Sequence, residues 1–193
     1  MTITKDICEK LSDNVIVKMS LTDIDYFLCL YNRYEIKLLR YIKRISGASD
    51  EQAKDILQES FIKIWQNLNN FNQRLKLSSW IYRIVHNETI SCWRNNMSFG
   101  KDHQVQLDDN FIDNFFLDLE LDEYKHQNEI HTHLILEQLP IKYKTVLVLR
   151  YMEEMSYNEI SNVLKIPEGT VAARINRAKS NFIKIASINQ FSF

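Results

Sequence analysis

Glycine and proline are scarce in this chain, with 3 glycines and 2 prolines among 193 residues. That scarcity excludes a turn-rich sandwich or barrel and favours long helices. Cysteine is sparse too. Cys8, Cys29 and Cys92 are odd in number, far apart and not in a Cys-x-x-Cys pair. The expectation is a reducing, cytoplasmic setting with neither a disulfide nor a zinc framework. Residues 1–17 interleave Lys5, Asp6, Glu9, Lys10 and Asp13 with apolar positions, so no secretory leader is expected there. No apolar run approaches the roughly 18 residues that membrane insertion requires. A phosphate-binding glycine loop, an HExxH pair and a nucleophile elbow are all missing, so neither catalysis nor a cofactor is expected. What is present is 45% hydrophobic and 25% charged residues, the balance of a folded globular chain.

The formal net charge of -1 conceals a segregation. Residues 25–96 sum to +4, residues 97–135 to -7 and residues 136–193 to +3. Two basic blocks flank an acidic one, and each basic block suits a phosphate backbone that the middle would repel. The organisation expected is an N-terminal extension over 1–21, a first helical module over 22–96, an acidic linker over 97–128, a second module over 129–186 and a tail over 187–193.

The first block reads as successive helices. Thr22 and Asp25 fit an N-terminal cap, and Phe27, Leu30, Tyr31, Tyr34, Leu38, Tyr41, Ile42 and Ile45 follow at three- and four-residue steps. Ser49 and Gln52 form a capping-box pair ahead of Ile56, Leu57, Ser60, Phe61, Ile64, Trp65 and Leu68. A second line on that helix carries Asp55, Gln58, Glu59 and Ile62, either a plain solvated face or a docking face. The third helix, from Ser78-Ser79, holds Trp80, Ile81, Ile84, Val85 and Ile90 on one side and Arg83, Asn87 and Arg94 on another. Aromatic rings beside Arg and Asn suit unpaired bases, which stack on rings and offer edges to amide and guanidinium groups. The alternative is that Trp80 and Trp93 simply fill the core.

In the second block Pro140 opens a helix with Ile141, Val146, Leu147, Leu149 and Tyr151. Ser156 and Glu159 make another capping box before Ile160, Val163 and Leu164. A break at Lys165-Ile166-Pro167 then leads to Val171, Ile175 and Ala178. Two short helices on a tight turn, the second bearing Arg174, Asn176 and Arg177, form a helix-turn-helix pattern that reads duplex DNA. His126, His131 and His133 do not make a metal site. His126 and His133 lie about 10 Å apart along a helix while His131 points elsewhere, so these are expected to be surface histidines.

The run Asp55-Ile-Leu-Gln-Glu-Ser-Phe-Ile-Lys-Ile-Trp65, then Phe71 and Ser79-Trp80-Ile-Tyr-Arg-Ile-Val-His-Asn87, resembles region 2 of bacterial RNA polymerase sigma factors. Leu139-Pro140, Leu149-Arg150-Tyr151, Ser156-Tyr157-Asn-Glu-Ile160 and Gly169-Thr-Val171 to Ala178 resemble region 4. Two such modules without a middle domain are similar to the extracytoplasmic-function (ECF) class of the sigma-70 family. The resemblance implies an all-α fold of two small helical domains, a region 2 bundle and a region 4 helix-turn-helix. It implies a protein that binds RNA polymerase core, recognises and melts promoters and starts transcription. The competing readings are a stand-alone helix-turn-helix regulator and a helical interaction protein.

By the same resemblance Asp55, Gln58, Glu59 and Ile62 would meet the clamp helices of the largest polymerase subunit, and region 4 the flap of the second-largest. Asn72, Lys76, Arg83, Asn87 and Arg94 would hold the −10 strand. Thr170, Arg174, Asn176 and Arg177 would read the −35 duplex, with Arg150, Ser156 and Tyr157 on phosphates. An anti-sigma partner is also implied. The acidic linker, with Phe111, Ile112, Phe115, Phe116, Leu117 and Leu119, would be a stand-in for nucleic acid, an anchor on the protein's own domains or a tether. Ser91 stands where the family often has Asp. Ala172-Ala173 stand where it commonly has Lys-Ser, which removes one charged and one polar contact from the −35 set.

Overall fold

A computed structural model describes the backbone of residues 5–98 and 123–189 and the side chains of 7–95 and 130–189. The described residues are helical, without strands. Two short helices, α1 (Lys5–Lys10) and α2 (Asp13–Ser20), precede three long ones, α3 (Phe27–Ser46), α4 (Asp50–Asn67) and α5 (Leu77–Ser98). After the acidic segment come α6 (Glu123–Gln138), α7 (Ile141–Leu147), a π-helical turn (Val148–Met152), α8 (Tyr157–Leu164) and α9 (Glu168–Ile188). Phe111, Ile112, Phe115, Phe116, Leu117 and Leu119 lie outside the described residues. Helix α6 begins at Glu123, inside the span expected to be linker.

The periodicity of α3 explains its seat. Leu30, Leu38, Tyr41, Ile42 and Ile45 are each at most 1% exposed, and together they form the centre onto which α4 and α5 pack. Removing five such side chains from water contributes on the order of 10 kcal/mol before chain entropy is charged. Gly47 ends α3 in the left-handed region at φ +64°, with its N–H on the Lys43 carbonyl at 2.9 Å. Glycine adopts that conformation without a Cβ clash, so the chain reverses into α4 within three residues. Ser49 and Gln52 close the expected capping box. The cap before α3 differs from expectation: Asp23, not Thr22, accepts from the Asp25 N–H at 3.0 Å, while the Thr22 hydroxyl turns back to the Met19 carbonyl. A carboxylate two residues upstream of that N–H makes the tighter Asx turn.

The N-terminal extension belongs to the first module. Ile16 and Val17 are buried against α3, and Arg33 donates to the carbonyls of Cys8 and Leu11 and to Asp13. This return of the chain brings Cys8 and Cys29 to a Cα separation of 5.2 Å, where they form a disulfide. The expectation of no disulfide is thereby corrected. Spacing in sequence did not reveal the pairing because tertiary packing of α1 and α2 creates it.

The two modules touch. Helix α5 packs on α8, and α3 meets α7 and the π turn. Glu153 and Glu154 lead away from that turn, Glu154 at φ +54°. Both expected helical modules are present, and among the described residues they pack against each other as one body. None of the candidate Asn or Arg side chains is interred in it.

Candidate polymerase and nucleic-acid interfaces

On α4 the apolar stripe faces α3 and α5, which leaves the opposite line free for other uses. Asp55, Gln58, Glu59 and Ile62 are all exposed along it, spanning about 10 Å of axis. Ile62, one turn beyond Glu59, is 41% exposed, which leaves apolar area in water at the end of this line. Trp65, one turn on, is 38% exposed with its ring against Phe27 at 5.1 Å.

The second surface follows α5. Phe71 is buried with its ring 5.2 Å from that of Trp80. Trp80 is thus core, and of the two readings given to it the plain one is correct. Trp93 is half-buried. Asn72 is exposed and its Oδ1 accepts from the Arg74 N–H at 3.0 Å, an Asx turn that shapes the loop into α5. Lys76 is exposed at the helix start. Its Nζ reaches Glu159 Oε1 at 2.9 Å. Farther along, His86, Asn87, Ile90, Ser91, Arg94 and Asn95 line a polar concavity of about 370 Å³. Asn87 and Arg94 therefore share one hollow, whereas Asn72 and Lys76 precede the helix, with Lys76 about 16 Å from Asn87 and about 27 Å from Arg94 along the axis. Arg83 is half-buried between them and does not line the hollow.

His86 escaped the sequence reading. One of its ring nitrogens lies 2.9 Å from the hydroxyl of Tyr41, a residue with no exposed surface. Burial, and secondarily the Arg94 charge, pushes the imidazole down to about 4, so it is neutral near pH 7. A neutral ring beneath the hollow leaves Arg94 as its cationic member.

The third surface is the helix-turn-helix. Ser156 and Glu159 form the second capping box, Lys165 ends α8 in the left-handed region, and Pro167 precedes α9. Ser161 Oγ donates to the Ile166 carbonyl and Asn158 Nδ2 to Glu168, at 2.6 and 2.8 Å, which fixes the turn. Val171, Ile175 and Ala178 are fully buried, so the outward face of α9 carries Ala173, Asn176 and Arg177, all exposed. Thr170 and Arg174 lie on a flank and are half-buried. Arg150 braces the unit. It donates to the Met155 carbonyl at 2.9 Å and lies 5.5 Å from the Tyr157 ring centre. Ser156 is likewise engaged as a cap and Tyr157 is half-buried. His131 and His133, expected at the surface, are half-buried, and burial holds the His133 imidazole below its usual range. The His126 side chain lies outside the described residues. Among the described residues no cluster has the make-up of a metal site.

A junction between modules was also missed by sequence reasoning. Glu153 accepts a hydrogen bond from the Tyr82 hydroxyl and pairs with Arg44 Nη1 at 3.3 Å, with only 7% of its side chain exposed. Burial pushes its carboxyl up, against the opposing pull of Tyr82 and Arg44. Burial also acts upward on Glu159, but hydrogen bonds from Ser156 and the Lys76 ammonium outweigh it and hold that carboxyl below its ordinary value. No helix among the described residues is long and apolar enough to cross a membrane.

Comparison with known proteins places the chain in a family. The family model for Sigma-70 region 2 matches residues 30–98, and that for Sigma-70 region 4 matches residues 132–181. The chain is 33% identical over 170 residues to the ECF RNA polymerase sigma factor SigW of Bacillus subtilis, covering 81% of this chain and 87% of that one. It is 33% identical over 159 residues to the RNA polymerase sigma-H factor of Pseudomonas aeruginosa, covering 79% and 82%. In fold it is similar to CnrH, solved in complex with the cytosolic domain of CnrY, at TM-score 0.67 and 18% identity over 93% of this chain and 99% of that one. It is also similar to the sigma factor RpoE of Bartonella quintana, solved with the anti-sigma factor NepR, at TM-score 0.63 and 16% identity over 84% and 97%. With the bundle of α3 to α5 and the helix-turn-helix of α8 and α9 each matched in order, this chain belongs to the sigma-70 family of RNA polymerase sigma factors, in its ECF class.

Proposed function

We propose that this protein works in the cytoplasm as a non-enzymatic initiation factor, which joins RNA polymerase core and holds the two promoter elements on separate surfaces. Asp55, Gln58, Glu59 and Ile62 contact the clamp helices, the isoleucine supplying apolar area and the acids orienting the encounter. The region 4 module meets the flap. Asn87 and Arg94, in the hollow of α5, take an extruded base and its phosphate, with Asn72, Lys76 and Arg83 along the same strand. Unstacking a base costs a few kcal/mol, which edge hydrogen bonds and phosphate contacts must return. Asn176 and Arg177 face the −35 major groove, with Thr170 and Arg174 on its rim. Arg150, Ser156 and Tyr157 serve mainly by holding the helix-turn-helix in shape, and the exposed side of Ser156 approaches a phosphate. A protein of the anti-sigma class, of the kind bound to the RpoE relative, is the expected regulatory partner.

The observation that carries this reading is the exposed Asp55–Ile62 line on the same chain as a braced helix-turn-helix. A stand-alone regulator has no use for that line. The test is reconstitution with sigma-free core polymerase, followed by sequencing of run-off transcripts from genomic DNA. Defined start sites that need this chain support the reading, and transcription no different from core alone refutes it.

A further inference from the structure

The contact between modules combines apolar packing with a cluster of opposite charges. On α3, Arg33, Lys37, Arg40 and Arg44 recur at steps of four, three and four residues, one face of a helix. All four line a cavity of about 420 Å³ whose opposite wall carries Glu153, Glu154 and Glu159 of the second module. Glu153 closes the gap. It sits on Arg44 and the Tyr82 hydroxyl, and both the carboxylate and the guanidinium are largely withdrawn from water, at 7% and 17% side-chain exposure. The backbone is shaped for this placement. The Glu153 N–H bonds the Val148 carbonyl at 3.0 Å and the Met155 N–H the Leu149 carbonyl at 3.0 Å, with Glu154 between them in the left-handed region that disfavours a residue with a Cβ. Glu159 adds the pair to Lys76.

This arrangement conflicts with the size of a promoter. Elements named −10 and −35 are about 25 base pairs apart, or about 85 Å along a duplex at about 3.4 Å per pair. A compact chain of this length has a radius of gyration of about 16 Å and is about 42 Å across. Modules in contact cannot reach both elements, and Lys76 is taken by Glu159.

We propose that Glu153, held by Arg44 and Tyr82, is an intramolecular latch that keeps the two modules closed on each other, and that its release precedes simultaneous engagement of both promoter elements. Desolvated polar pairs suit such a device. They are specific while closed, and removal of one partner leaves the other buried without compensation, so the contact opens rather than adapts. The conformational part of this proposal stands apart from the promoter reading; its consequence for initiation rests on that reading.

The test measures a distance in the full chain without DNA or polymerase. Spin labels are placed at Gln66→Cys on α4 and Lys184→Cys on α9, both exposed, in a Cys92→Ser background. Double electron–electron resonance on the labelled chain is expected to give one short distance. Glu153→Lys should lower the closed-to-open ratio about tenfold or more, as loss of a charged hydrogen-bonded contact implies. The exchange Arg44→Glu with Glu153→Arg should restore the short distance, which a merely misfolded variant would not do. Each variant is checked for unchanged far-ultraviolet circular dichroism. A distance distribution that Glu153→Lys leaves unaltered in a folded chain overturns the latch, as does a wild type that is already broadly open. Because no promoter or core enters the measurement, a failed transcription assay does not bear on this result.

Discussion

Reducing the Cys8–Cys29 disulfide perturbs the first module at a single point, and its size follows from the chain. The two cysteines are 21 residues apart. Closing a loop of that length removes about 11 cal/mol/K from the unfolded chain, or about 3 kcal/mol at 25 °C. For a protein of this size each kcal/mol moves the melting temperature by about 2–4 °C, so reduction should lower it by roughly 6–12 °C. Helices α1 and α2 retain their other ties, the burial of Ile16 and Val17 and the Arg33 contacts to Asp13 and two carbonyls. The loss should therefore be one of stability and not of fold. The assay is urea unfolding of the same protein before and after treatment with a phosphine reductant, with thiols counted in denaturant. One titratable thiol, Cys92, is expected before reduction and three after. Three thiols from the start, or unfolding midpoints that coincide, would refute the assignment.

Other surfaces yield sharper functional tests. Asp55→Ala with Glu59→Ala should weaken binding to core polymerase by about tenfold while leaving duplex affinity unchanged, read by co-purification and a gel shift; equal core retention removes that face from the interface. Arg177→Ala should lower −35 affinity and reduce the salt slope by about one, and an unchanged slope shows that this guanidinium meets no phosphate. The His86 imidazole, near 4 in the fold and near 6.5 when unfolded, is depressed, so its contribution is complete above about pH 6.5 and is lost as pH falls toward 4. That window is worth at most about 3 kcal/mol, and His86→Gln should flatten the pH dependence of the urea midpoint across it. Ser49→Ala and Ser156→Ala should each cost about 1 kcal/mol by removing a cap, seen as a drop in melting temperature of about 2–4 °C.

Much of this was legible from spacing alone. The three- and four-residue rhythm of α3 and α4, both capping boxes and the Lys165-Ile166-Pro167 break are local signals, and local physics forms them. What stayed hidden depends on segments distant in sequence. Cys8 meets Cys29 only because α1 and α2 fold back over α3. Glu153 looks like any acid in a polar loop until Arg44 and Tyr82, 109 and 71 residues away, are brought to it. Trp80 beside Arg83 and Asn87 suggested a base platform, but the ring turns inward onto Phe71, since a bulky apolar ring gains more from the core than from solvent. Of the candidates on α5, Asn87 and Arg94 share the hollow while Arg83 turns off it. A sequence gives their order, and only the packed helix gives their faces.

The central claim, that this chain opens promoter DNA when joined to polymerase, is tested most directly by permanganate footprinting of a promoter mapped with the reconstituted enzyme. Thymines around −10 should become reactive only when core and this protein are both present, and should lose that reactivity when Asn87 and Arg94 are replaced by alanine. Reactivity produced by core alone, or its absence in the complete mixture, would contradict the account.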